Sequence, residues 1–327
     1  MDKALRLGWS MLKQRTLREK VSCFGVGLHT GSRVHMELVP AVENSGIVFV
    51  RTDLPGSPEI TASVEAVKET VLATTLCNHT YGSEASVGTV EHLLAALRGL
   101  GLDNVRVLLD GPEVPIMDGS AKPFVDMLIW AGVESQKKTK RFLVIKKDIK
   151  IVDGEKYAHA SSGHGFRLTC SVDFDHPVIL SAPYRFDFSE TRFLKDIASA
   201  RTFGFLRDVE MLRARGLVRG GSLDNAVVID ELRVLNPEGL RYPNEFVRHK
   251  VLDALGDFAL LGMPIVGKIT LHRTGHALNT RLMRAVLADP KAYEIVEPAH
   301  VEAVRLVRGE RSPFAVFEPV ESWTLTT

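Results

Sequence analysis

Apolar and polar positions along this chain follow two alternating rhythms. "RVHMELVP" and "GIVFVR", within residues 15–50, alternate with period two between Gly-rich turns, so the chain opens with β-structure. "TVEHLLAALRGLG" (89–101) changes to helical spacing, with Thr89 placed as N-cap and the glycines ending the helix. A strand over "DNVRVLLDG", a turn-rich "GPEVPIMDGSAKP" and a second helix over "PFVDMLIWAG" follow. The second half repeats the plan. "RFLVIKKDIKIVDG" and "GFRLTCSVDF" read as strands, and 189–200 and 244–261 as helices. The shared Phe-Val start of "PFVDMLIWAG" and "EFVRHKVLDALGD" points to two copies of one α+β unit. Folds of that kind place pockets between the copies. The polar "ESQKKTKR" (134–141) separates them, giving a first domain over 11–135, a linker over 136–141 and a second domain over 142–290. Residues 1–10 are an extension, with Met11 an alternative start, and 291–327 form a tail.

One helix breaks the pattern. In "EFVRHKVLDALGDF" (245–258) apolar side chains cover most of the circumference, as in a buried helix. Yet His249, Asp253 and Asp257 recur every four residues and stack on one face, with Lys250 beside them. Buried charge is costly unless it is paired or bound to a metal. The seam therefore requires a partner.

Composition narrows what that partner is. The chain is 45% hydrophobic and 25% charged, which places it among soluble globular proteins, and its 327 residues suffice for two domains. Lysine plus arginine number 41 against 40 acidic residues, and "KKTKR" (137–141) is the one basic cluster, read as solvated, so no nucleic-acid footprint is present. No apolar run approaches the roughly 20 residues of a membrane span, and the N-terminus lacks a signal-peptide core. Cys23, Cys77 and Cys170 are odd in number and widely spaced, as expected of a reducing cytoplasm.

His249 and Asp253, four apart on a helix, can reach one metal, by the logic with which HExxH presents its two histidines. A catalytic zinc takes three protein ligands and keeps an open position. His92 would complete the set, and Glu91 beside it stands where a general base belongs. Spacing alone leaves open a plain helix-start pair, with Glu91 facing the helix dipole. In "HRTGHALN" the Thr-Gly between His272 and His276 argues for a turn, so these two do not share a helix face; His276 remains a candidate acid. Thr202, between Arg201 and Phe203, offers a hydroxyl for a developing oxyanion or simply ends a helix. "GVGLHTG" (25–31) runs into a strand rather than a helix, so a dinucleotide-binding reading fails.

Two His and one carboxylate also make the facial triad of non-haem iron oxygenases. Glu91 and His276 as base and acid favour hydrolysis instead. A structural metal in a binding module would prefer four Cys/His ligands, and no cysteine is suitably placed.

"GVGLHTG", "TVEHLLAAL", "PIMDGSA", "ARTFGF", "FVRHKVLDALGD" and "TGHALN" occur in that order, and together they resemble the UDP-3-O-acyl-N-acetylglucosamine deacetylases, the zinc amidases of lipid A biosynthesis, from about Lys13 to Leu287. The resemblance implies one Zn²⁺ per chain, or Fe²⁺ in the cell, on His92, His249 and Asp253. It implies Glu91 as base, His276 as positively charged oxyanion partner and proton donor, Asp257 as its holder, Thr202 on the oxyanion, and Lys250 at the substrate's polar head. The implied fold is α+β, two similar domains with their helices sandwiched between two sheets and the site at the domain interface. An insert within 204–230 would form a hydrophobic acyl passage, with Leu28, Phe203, Phe205 and Leu217 as wall residues or plain core. The implied substrate is an acylated UDP-N-acetylglucosamine, and the implied enzyme is a cytoplasmic monomer.

Overall fold

The computed structural model describes residues 12–298; the N-terminal extension and most of the tail anticipated from the sequence lie outside them. The first half builds a five-stranded sheet in the order β2-β3-β9-β4-β5, from β2 (Val21–Val26), β3 (Arg33–Pro40), β4 (Ile47–Arg51), β5 (Glu59–Thr61) and β9 (Val105–Leu109). β4 runs parallel to β9 and the other pairs are antiparallel. β3 shows why the alternation is legible: Val34, Met36 and Leu38 are buried while their neighbours are not. A small antiparallel sheet of β6 (Val67–Glu69), β7 (Thr75–Cys77) and β8 (Ser86–Val87) is inserted between β5 and the first helix, α1 (Glu91–Gly99). α2 (Lys122–Ala131) follows β9.

The second half forms a seven-stranded sheet along the path β12-β13-β18-β11-β19, with β14 joining β18 and β15. Its strands are β11 (Phe142–Ile145), β12 (Ile149–Asp153), β13 (Lys156–Ser161), β14 (Phe166–Ser171), β15 (Tyr184–Asp187), β18 (Ile265–His272) and β19 (Tyr293–Val296). Its helices are α3 (Glu190–Asp196), α4 (Leu206–Ala214), α5 (Glu245–Ala259) and α6 (His276–Ala288), and a short parallel pair, β16 (Phe203–Phe205) with β17 (Val227–Ile229), brackets α4.

α5 packs on α1 with one face and on β14 and β15 with another, α6 lies on β12 and β13, and α2 lies on β2. The helices are thus a layer between two sheets, and one continuous apolar core runs through both halves. α1 and α5 are therefore buried almost all round. This is an α+β fold in which the paired helices α1 and α5 bring their polar residues together at the join. No helix among the described residues is long and apolar enough to cross a membrane.

Three local readings change. Thr89 does not cap α1: Val90 holds the N-cap position, and Thr89 has φ +56°. Its hydroxyl donates instead to Glu113 Oε1 at 2.8 Å, a buried carboxylate that outcompetes the helix amides. The segment read as a linker is in large part β10 (Val133–Thr139), antiparallel to β1 (Lys13–Leu17). A two-stranded ribbon leaves most side chains in solvent, so a polar sequence satisfies it. Lys140, read as solvated, is buried with its ammonium on the Gly101 carbonyl and Asp103. Finally, β19 lies in the segment read as tail and pairs with β11, extending the second sheet beyond residue 290.

Candidate metal centre and catalytic pocket

The helix start "EH" of α1 and the seam of α5 face each other. Their close approach is set by Gly256 on α5, which lies against the backbone of Glu91. His92 Nε2 is 3.6 Å and His249 Nε2 3.2 Å from Asp253 Oδ1, and the three ligand atoms lie within 4.8 Å of one another. An ion with bonds of roughly 2.0–2.1 Å and tetrahedral geometry needs ligand separations of about 3.4 Å. The cluster fits.

Its surroundings prepare each donor. His249 Nδ1 is 3.0 Å from the Ala200 carbonyl, an acceptor only, so Nδ1 carries the proton and Nε2 keeps its lone pair for a metal. Burial lowers the His249 pKa, favouring the neutral imidazole that coordination requires. Burial alone would raise the Asp253 pKa, but His249 and Lys250 outweigh it and hold the carboxyl well below the usual range. Lys250 Nζ donates to Asp253 Oδ2 at 2.7 Å, leaving Oδ1 toward the two imidazoles.

Beside the cluster stands an ionisable pair of opposite character. Burial pushes Glu91 up to about 7. His276, first residue of α6, sits with Nε2 3.6 Å from Glu91 Oε1 and Nδ1 2.9 Å from Asp257 Oδ2. Burial would lower its pKa, but Asp257 and Glu91 prevail and raise it to about 10. Two groups shifted in these directions divide into base and acid. The turn inferred between His272 and His276 is present: the first ends β18 and the second begins α6.

These groups open into a cavity of about 370 Å³. Leu28, Thr202, Phe203 and Lys250 line it as well. "PIMDGSA" contributes through Gly119 (φ +83°), whose carbonyl accepts the Thr202 amide at 2.8 Å; a Cβ there would strike the Asn225 carbonyl at 2.2 Å. Two anticipated wall residues do not border the cavity. Phe205 packs on the ring of Phe174, 5.7 Å away, and carries the Arg207 guanidinium over its ring; Leu217 is half-buried just after α4, with its amide on the Leu212 carbonyl.

Sequence reasoning missed several neighbours. Asn279 donates to Asp257 Oδ2 at 2.8 Å; its place three residues after His276, on the same helix face, was a usable signal. Thr74 reaches both Glu91 and Asp257 from the inserted small sheet, and no periodicity marked it. His29 lines the cavity with both ring nitrogens buried, and Asp153, Lys156 and Arg281 stand at its mouth.

A family model described as UDP-3-O-acyl N-acetylglycosamine deacetylase matches residues 14–288. The chain belongs to this family. A UDP-3-O-acyl-N-acetylglucosamine deacetylase of Myxococcus xanthus (strain DK1622) is 54% identical over 287 residues, 88% of this chain and 90% of its own length. Its counterpart in Shewanella violacea is 50% identical over 288 residues, 88% of this chain and 93% of its own. The span matched to the deacetylase family contains every site residue anticipated from the sequence. The family is one of metalloenzymes, and among the described residues His92, His249 and Asp253 form a cluster able to hold an ion.

Proposed function

We propose that this chain removes the N-acetyl group of UDP-3-O-(3-hydroxyacyl)-N-acetylglucosamine, releasing acetate and the free amine in the committed step of lipid A biosynthesis. The observation that carries the reading is the pairing of Glu91 and His276, a raised carboxyl and a raised imidazole 3.6 Å apart, beside a three-ligand metal cluster. His92, His249 and Asp253 would hold one Zn²⁺, with Fe²⁺ the alternative in the cell. When bound, the ion supplies Lewis-acid polarisation of the scissile carbonyl and of the attacking water.

The chain's own groups do the rest. Glu91 takes a proton from water as its oxygen bonds to the acetyl carbon. The Thr202 hydroxyl and the His276 cation face the negative charge that develops on the carbonyl oxygen. His276 gives its Nε2 proton to the departing nitrogen as the C–N bond breaks, and the proton on Glu91 can return across the short gap to His276. Asp257 keeps Nδ1 protonated and the ring aimed. Lys250 meets the polar head of the sugar nucleotide, while Leu28 and Phe203 begin the wall of an acyl passage built with the 204–230 insert. The domain division near residues 136–141 then puts the ligands on both sides of the join. The three cysteines Cys23, Cys77 and Cys170 are free, which supports a reducing compartment such as the cytoplasm.

The test is direct: incubate zinc-loaded protein with the acylated UDP-sugar and follow free amine. No amine above the rate of metal-free protein would end this reading. Amine release also excludes the oxygenase and binding-module alternatives.

A further inference from the structure

We propose that Thr74 is the positioning residue that locks the base and the acid into one geometry, and that ties both to the loop over the pocket. The inference rests on the assignment of Glu91 and His276 made above.

Thr74 ends the loop between β6 and β7 and is fully buried. All its polar atoms are engaged, each on a different part of the site. Its backbone N–H donates to Glu91 Oε2 at 3.1 Å. Its hydroxyl donates to Asp257 Oδ1 at 2.8 Å. Its carbonyl accepts the amide of Val90, the N-cap of α1, at 3.4 Å. One rigid residue therefore holds a carboxylate from α1 and a carboxylate from α5, from opposite halves of the molecule.

Each contact leaves the correct atom free. With Oε2 of Glu91 occupied by Thr74, Oε1 is the oxygen left facing His276. Asp257 then has donors on both oxygens: Thr74 and His276 on Oδ1, His276 and Asn279 on Oδ2. A carboxylate held from three directions cannot rotate, so the imidazole it carries cannot either. Valine would fill the same volume in an apolar surrounding without needing an acceptor. A hydroxyl here earns its place only through Asp257.

The same residue closes the loop whose Thr70, Leu72 and Ala73 line the cavity. Leu72 is held at φ +64°, a left-handed conformation unusual for a leucine, two residues before this anchor. Substrate pressing on the loop thus acts on Thr74, and through it on the alignment of Glu91 and His276.

The experiment compares zinc-loaded Thr74→Val and Thr74→Ser with the parent, with Glu91→Gln alongside, measuring kcat, KM, metal content and thermal midpoint. Thr74→Val keeps the backbone N–H and the shape but loses the hydroxyl. The expected result is a kcat lower by about 10- to 100-fold with KM and metal content essentially unchanged, and a midpoint lowered by no more than the loss of one buried hydrogen bond to a charged group. Thr74→Ser should restore most of the rate. Normal kcat in Thr74→Val while Glu91→Gln is inactive overturns this inference and leaves the assignment of the base intact. Loss of metal, or a larger loss of stability, in Thr74→Val without rescue by serine also overturns it, since the role is then merely structural. Normal turnover in Glu91→Gln overturns the assignment and this inference with it.

Discussion

Gly256 of α5 meets Glu91 of α1 backbone to backbone: a Cβ at Gly256 would lie 2.0 Å from the Glu91 carbonyl oxygen. A glycine inside a helix costs about 1 kcal/mol relative to alanine, so this one needs a reason. The reason is the distance between helices, because α1 carries Glu91 and His92 while α5 carries His249 and Asp253. We predict that Gly256→Ala, favourable by propensity alone, forces the helices apart and costs roughly 1–3 kcal/mol of stability. Metal content and turnover should fall with it, since the ligand set is split across that contact. A variant with parental metal content and turnover would show that the contact does not set the site.

A second prediction concerns Arg201 and Glu245, both buried. Arg201 donates to Glu245 from its backbone amide at 3.0 Å, from Nε at 2.9 Å and from Nη2 at 3.2 Å. Without Glu245 the buried guanidinium keeps only the half-exposed Glu238, at 2.5 Å from Nη1, and the Gly239 carbonyl, so the loss falls at the lower end of the about 3–5 kcal/mol typical of an uncompensated buried charge. Glu245→Ala should therefore lower the unfolding free energy by about that much, and turnover as well, because Arg201 precedes Thr202 in the chain. Denaturant titration measures it; a loss below about 1 kcal/mol, the range of exposed pairs, would refute the argument.

What the sequence disclosed was local. His249, Asp253 and Asp257 share one face of one apolar helix, so their periodicity exposed them without any tertiary knowledge. Glu91 and His92 were visible as polar residues starting an apolar helix, but their meeting with α5 depends on the fold, and the motif resemblance supplied it. Thr74 left no trace because its role lies in a backbone amide and a hydroxyl set by tertiary packing. β10 reads as a linker for a related reason: its ladder with β1 is made by the backbone, and its side chains, mostly in solvent, carry no alternation. Phe205 and Leu217 were legible as apolar, but sequence does not say which apolar side chains border a cavity.

The metal assignment predicts that His92→Ala, His249→Ala and Asp253→Ala each reduce bound divalent metal sharply, because two protein ligands are too few for a catalytic site. Metal analysis of purified protein decides the matter. Undiminished metal in all three would move the centre elsewhere.

For the acyl chain, Leu28 and Phe203 on the cavity wall lead to a kinetic expectation. Remote contacts fix the reacting centre as well as adding affinity, so a substrate lacking the 3-O-acyl group should show lower kcat as well as higher KM. Phe203→Ala should narrow the difference between the two substrates. Equal kcat/KM for both in the parent enzyme would eliminate the passage.

The last prediction is the pH profile of kcat/KM, which should be bell-shaped. Glu91 must be ionised to accept a proton, and burial raises its pKa to about 7, so the acidic limb reports Glu91. A cation on His92, His249 and Asp253 favours the neighbouring carboxylate and pulls that limb below this value. His276 must be protonated to donate, and although burial opposes the charge, Asp257 and Glu91 raise its pKa to about 10, so the basic limb reports His276. The bound cation repels the imidazolium and draws that limb down as well, so both limbs lie at or below these values. The negative charge of Asp257 stabilises the imidazolium, so Asp257→Asn removes that stabilisation, lowers the His276 pKa and moves the basic limb to lower pH, narrowing the bell from the alkaline side. Glu91→Gln should erase the acidic limb and His276→Ala the basic one, each retaining metal and losing on the order of 10²–10⁴-fold in rate. Their losses should not add, because both act on one transition state. An Asp257→Asn enzyme whose basic limb stayed in place would mean that the limb belongs to a group other than His276.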